Sequence, residues 1–211
     1  MRAILRIIGT AALTFTAFAT AAADPGTMNS TPAEHGHRQS IAAQGPSRTV
    51  VNYTIPSVRL TRQDGQVVNL REEIDDGRPV VLAFIYASCS TVCPLISHTL
   101  SELQTKLGGA RERVHLMSIT IDPEQDSPAR LRELAKTYGA GPEWQYYTGT
   151  LSASETAQRA FDVYRGAKMD HSPVTLIRPA PDGPWVRLDG FTTASQLFAE
   201  LPDLSNLRAA R

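Results

Sequence analysis

The stretch Pro79–Leu100, PVVLAFIYASCSTVCPLISHTL, decides the fold. Pro79 to Ala87 is an unbroken apolar run, the mark of a strand covered on both faces of a sheet. A short loop carrying Cys89 follows. Pro94 to Leu107 then places Leu95, Ile96, Leu100, Leu103 and Leu107 at helical spacing and stops at Gly108-Gly109. A buried strand running directly into a helix is half of a crossover unit in a parallel sheet.

Outward from this segment the same alternation continues. Val114–Ile121 reads as a strand. Ser127-Pro128 opens a helix that runs to Tyr138 and stops at Gly139, with Pro in its first position. Trp144–Tyr147 is a short strand. Ser152-Ala153-Ser154-Glu155 fits a capping box for a helix reaching Phe161 and Tyr164. Val174–Ile177 and Trp185–Leu188 flank Asp182-Gly183 as a hairpin, and Thr193-Ala194-Ser195-Gln196 caps a last helix. On the N-terminal side, β-branched Thr49–Ile55, Val58–Leu60 and Val67–Leu70 surround a turn at Asp64-Gly65, which predicts an added hairpin. The expectation is one α/β domain over residues 49–207, with helices on both faces of its sheet.

Composition excludes other classes. Among 211 residues, 42% are hydrophobic and 20% charged, ordinary for a globular chain. Lys+Arg and Asp+Glu are both 21, with no basic run, so nucleic acid is not an expected partner. Two cysteines are too few for a disulfide scaffold or a four-thiolate zinc site. Residues 1–23 read as an export signal: Arg2 and Arg6, an uncharged apolar run, then Ala21-Ala22-Ala23. The segment is either cleaved or kept as a membrane anchor through residues 4–22, so the chain is expected in the periplasm or held on the periplasmic face of the inner membrane. Residues 24–48, rich in Pro, Gly, Ser and Thr, read as a flexible linker in which Met28, His35 and His37 are incidental.

The chemistry lies where the buried strand meets its helix. Cys89 and Cys93 are about one helical turn apart, so both sulfurs can face one side. The helix N-terminus, with its unpaired N–H donors, is expected to favour thiolate at both. Such a pair can close a disulfide or hold a soft metal. A purely stabilising bridge across so short a ring would contribute little. His171, in KMDHSPVTLIRP, precedes a late strand whose leading loop can lie beside the end of the first. Two thiolates and one imidazole suit Cu(I), or Cu(II) with an added ligand; zinc would ask for a fourth donor. A lone histidine before a strand is also common surface decoration. His98 is expected at the surface or an interface and His115 as structural; Met117 and Met169 are soft donors in principle, and Met169, two residues from His171, could touch a bound ion but is expected to pack. Trp144 and Trp185 are expected in the core or at its rim.

CSTVCP (Cys89–Pro94), SITIDPEQDSPARL (Ser118–Leu131) and DHS (Asp170–Ser172) together resemble the Sco/SenC family of copper-delivery proteins, over roughly residues 50–201 and in the same order. The resemblance implies a thioredoxin-like fold and a role in assembling the copper centre of cytochrome oxidase. It implies one copper per chain, as Cu(I) or Cu(II), held by Cys89, Cys93 and His171, with Asp122 near the site. The implied partners are the copper-centre subunit of a respiratory oxidase and an exported thiol reductase that keeps the dithiol open. The competing functions are a metal-free thiol–disulfide oxidoreductase and a redox sensor, both using the same two cysteines. Two departures bear on this choice. Ser90 stands where the family often has Pro, and Pro173 follows Ser172 much as a cis-proline adjoins the thiols of thioredoxins.

Overall fold

The structure, a computed structural model, describes residues 45–204. The expected signal (1–23), with Met28, His35 and His37 of the expected linker, lies outside the described residues. The last part of that linker is already strand: β1 spans Ser47–Val51. It is followed by β2 (Arg59–Arg62), β3 (Val67–Asn69), α1 (Leu70–Ile74), β4 (Val80–Ile85), α2 (Val92–Leu107), β5 (His115–Thr120), α3 (Pro128–Thr137), β6 (Trp144–Gly149), α4 (Leu151–Ala160), β7 (Val174–Arg178), β8 (Trp185–Asp189) and α5 (Ala194–Ala199).

The strands form one eight-stranded sheet in the order β1-β8-β7-β4-β5-β6-β2-β3. The crossovers make β4, β5 and β6 parallel, and β7 returns antiparallel against β4. This is the thioredoxin-like α/β arrangement that the resemblance implied, with β2–β3 as its added hairpin. Gly65, at φ +93°, makes the turn between β2 and β3, a conformation closed to most side chains. The β-branched run at Thr49 departs from the expectation. It does not extend that hairpin but pairs with β8 at the opposite edge.

All six residues of β4 are buried, because alternate side chains enter different layers. Val81, Ala83 and Ile85 join Leu100 and Leu103 of α2, Leu131 of α3 and Leu197 of α5. Val80, Leu82 and Phe84 join Leu70 and Ile74 of α1 and Ala157 of α4. Trp144 and Trp185 are core residues, and the Trp144 indole N–H donates to Ser118 Oγ at 3.0 Å.

Three helix starts test the capping expectations. Ser127 caps α3 ahead of Pro128, and Thr193 with Gln196 forms the capping box of α5. The box at Ser152–Glu155 does not form. Thr150 caps α4 instead, accepting from the Ala153 N–H at 3.1 Å, while the Ser154 hydroxyl is buried and donates to the Thr120 carbonyl at 2.8 Å. A threonine two positions upstream matches the same requirement, and the buried acceptor takes the serine.

Candidate metal centre

Topology assembles the site. β4 ends at Ile85, and its chain continues through Tyr86 and Ala87 into the cysteine loop. In the antiparallel β4–β7 register Ala83 faces Thr175, so the segment leading into β7 arrives at the same end of β4. That segment is a 3-10 turn, Lys168–Asp170, followed by His171.

The N-terminus of α2 has no side-chain cap from Thr91. One of its free donors is taken by sulfur: the Cys93 N–H donates to Cys89 Sγ at 3.4 Å. The Tyr86 N–H donates in turn to Cys93 Sγ at 3.4 Å. The two thiols are unbridged, with Cys89 partly exposed and Cys93 buried. Both line a cavity of about 20 Å³, bounded also by Tyr86, Pro94, Ser97 and Tyr138. That volume holds about one water or one small ion.

Burial splits the pair, which corrects the expectation of two favoured thiolates. At Cys89, burial opposes ionisation, but the N–H groups of Cys93 and Thr91 and the Tyr86 hydroxyl outweigh it and bring the thiol down to about 6. At Cys93, burial pushes the thiol well up, and the neighbouring Cys89 and Asp126 charges add to the rise despite the Tyr86 N–H. One sulfur is therefore a ready thiolate and the other a protonated partner behind it.

The His171 ring packs edge-on to Tyr86, with centroids 6.4 Å apart. Its Nε2 lies 2.9 Å from the Phe84 carbonyl. A carbonyl only accepts, so Nε2 carries the proton and Nδ1 keeps its lone pair. Burial lowers its pKa and the Arg165 charge adds to that, against the hydrogen bond to Phe84, which keeps the ring neutral. A neutral imidazole whose other nitrogen is tied to a carbonyl is the form in which histidine ligates metals. Among the described residues, however, no three His, Cys, Asp or Glu side chains converge closely enough to enclose an ion. The structure brings the two cysteines together and sets His171 beside them across Tyr86.

Asp122 lies at this end of the sheet but does not touch His171. Its carboxylate pairs with Lys168 Nζ at 2.5 Å, and that ammonium also sits 5.7 Å from the Tyr86 ring centroid. The carboxylate under the cysteine loop is a different one. Buried Asp126 accepts the Ala87 N–H at 2.9 Å and the Thr120 hydroxyl at 2.6 Å. It was present in the same SITIDPEQDSPARL segment, but nothing in one dimension separates it from Asp122. Tyr86 was likewise invisible as a site residue, because it reads as the last apolar residue of the strand.

The other histidines and methionines sort cleanly. His98 is exposed and faces Glu102 at 3.4 Å, while His115 and Met117 are buried. Met169 contradicts its expected packing role: it is 77% exposed.

A family model described as SCO1/SenC matches residues 47–197. The SCO1 protein homolog of Bacillus subtilis (strain 168) is 31% identical over 116 residues, 54% of this chain and 58% of that protein. The chain spans about half the length of the curated relatives it matches. Among solved structures, copper-bound ScoI of Bradyrhizobium japonicum superposes with a TM-score of 0.57 at 24% identity, covering 71% of this chain and 96% of that one. BsSco, described as a member of the Sco family of cytochrome c oxidase assembly proteins with a disulfide switch, gives 0.62 at 24% identity, covering 76% and 98%.

Proposed function

The chain belongs to the SCO1/SenC family, and on that premise we propose that it is an exported copper metallochaperone. One copper ion is its cargo, held by Cys89, Cys93 and His171. Its client is the copper-centre subunit of a respiratory oxidase, and an exported thiol reductase returns the dithiol to the open form that accepts metal. Residues 1–23 direct export, either as a cleaved signal or as an anchor.

The observation that carries this reading is two unequal thiols lining one small cavity, with a neutral, carbonyl-tethered imidazole packed against the Tyr86 that also lines it. The donor set fits soft copper chemistry. The Cys89 thiolate receives the ion, Cys93 gives up its proton to solvent as it ligates, and the turn carrying His171 closes over Tyr86 to add nitrogen. The unequal thiols also favour a second reading, dithiol–disulfide exchange, because a thiolate backed by a protonated thiol is the arrangement that attacks and then resolves a mixed disulfide.

Anaerobic Cu(I) titration of the reduced protein against a chromophoric chelator separates the two. The copper reading expects one equivalent bound, with His171→Ala weakening affinity at least about tenfold and disulfide exchange unchanged. Failure to bind copper, with exchange intact, leaves the oxidoreductase. Binding unaltered in His171→Ala removes the imidazole from the site.

A further inference from the structure

Met169 is an exposed methionine in the turn that also carries His171, where a solvated apolar side chain gains nothing from burial. Its Sδ lies 3.8 Å from the Tyr86 hydroxyl. Tyr86 also lines the small cavity that Cys89 and Cys93 line. Tyr86 thus stands between an exposed thioether, to which its hydroxyl donates, and the cavity lined by the Cys89 thiol. Lys168 of the same turn pairs with Asp122 at 2.5 Å, just beyond the end of β5.

We propose that the Met169 thioether is a transient ligand for Cu(I), a surface station through which the ion passes between a partner and Cys89. The inference rests on the copper reading above and adds to it a fourth, exchangeable donor. A thioether is neutral, soft and selective for Cu(I), and it binds without losing a proton. The transfer is ligand exchange without electron movement. The partner–copper bond breaks as copper–Met169 forms; copper–Cys89 then replaces copper–Met169, and the Cys93 proton leaves to water as the second thiolate binds. Release runs in reverse. A donor tethered next to the cavity raises the local concentration of the ion at Cys89 and accelerates both directions while leaving the resting affinity nearly unchanged.

The test uses reduced protein carrying methyl-13C methionine, titrated anaerobically with Cu(I) below one equivalent. The Met169 methyl resonance is expected to shift or broaden, while that of buried Met117 stays in place as the internal control. In stopped-flow transfer to a chelator, Met169→Leu is expected to slow loading and release at least about threefold with equilibrium affinity nearly as in wild type. Substitution at so exposed a side chain leaves the fold intact. One equivalent of copper bound, with the Met169 methyl unmoved and the rates equal in both proteins, overturns the inference and leaves the copper reading standing. No copper bound by the wild type overturns both.

Discussion

Two histidines stand at opposite ends of β4, and their environments divide structure from chemistry. His115 opens β5, opposite Val80, and is 2% exposed. Its Nδ1 is 2.9 Å from Asp76 Oδ2 and its Nε2 is 3.0 Å from the Tyr147 hydroxyl. That hydroxyl donates to Glu73 at 2.7 Å, and Asp76 also pairs with Arg78 at 2.5 Å. Both ring nitrogens are spent, and the ring's partners are spent on one another. At the other end His171 commits one nitrogen to a carbonyl and keeps the other. A histidine saturated by its neighbours anchors α1 to the sheet. A histidine with one free lone pair, on a short turn beside two thiols, is available to a ligand.

The sharpest way to break this contrast is to delete each ring. His115→Ala strands Asp76 and Tyr147 in a largely buried network and is expected to cost about 3 kcal/mol, a fall of about 6–12 °C in Tm, with copper stoichiometry intact. His171→Ala is expected to do the opposite: affinity down at least about tenfold and Tm nearly unmoved. Calorimetry and chelator competition on both variants decide it, and a crossed result would mean that the two roles had been assigned the wrong way round.

The next largest effect is in thiol reactivity. With Cys89 brought down to about 6, its alkylation by iodoacetamide should rise with a midpoint near pH 6, while Cys93 stays unmodified in the folded protein. Mass spectrometry of partly alkylated protein gives the order, and Cys93 modified first would remove the proposed division between the thiols.

A smaller effect separates the opposite end by acid. Burial opposes ionisation of Asp76, but His115 and Arg78 hold its carboxyl well below the usual carboxylate range. The unfolded chain therefore binds that proton more readily than the native one. Its contribution is complete above the ordinary carboxylate pKa, and stability falls as pH drops below about 4. Asp76→Asn should flatten that part of the acid limb in urea unfolding. The smallest effect belongs to Tyr86→Phe, which removes one of several donors to Cys89. The alkylation midpoint should move up by a few tenths of a unit to about one unit.

The parts of this molecule legible in one dimension were those set by local pattern. β4 was visible because burial on both faces leaves no polar position, and the cysteine loop because it lies between that run and a helical period. The capping box at Thr193 was legible for the same reason. What was not legible depends on distant partners. Thr49–Val51 is strand-like anywhere, and only pairing with β8 tells which edge it occupies. Thr150 caps α4 in place of Ser152, which starts the helix early enough to put Ser152 inside it and Ser154 against the Thr120 carbonyl. One helix N-terminus beside both sulfurs implied two favoured thiolates, but Cys93 is buried in the core and Cys89 lies only at its edge. Tyr86 and Asp126 carry no motif of their own, since what matters is which atoms their side chains meet.

The bond between His171 and the Phe84 carbonyl joins positions 87 residues apart. Contacts of that span form only after the intervening chain has been brought into register, so they close late in folding. On the export proposed above, a chain still unfolded as it crosses displays both sulfurs but has no imidazole near them. Any copper it meets there is held by sulfur alone. The nitrogen joins only when β7 has docked on β4, so the proposed three-donor set would serve as a certificate of maturation, complete only once the fold is.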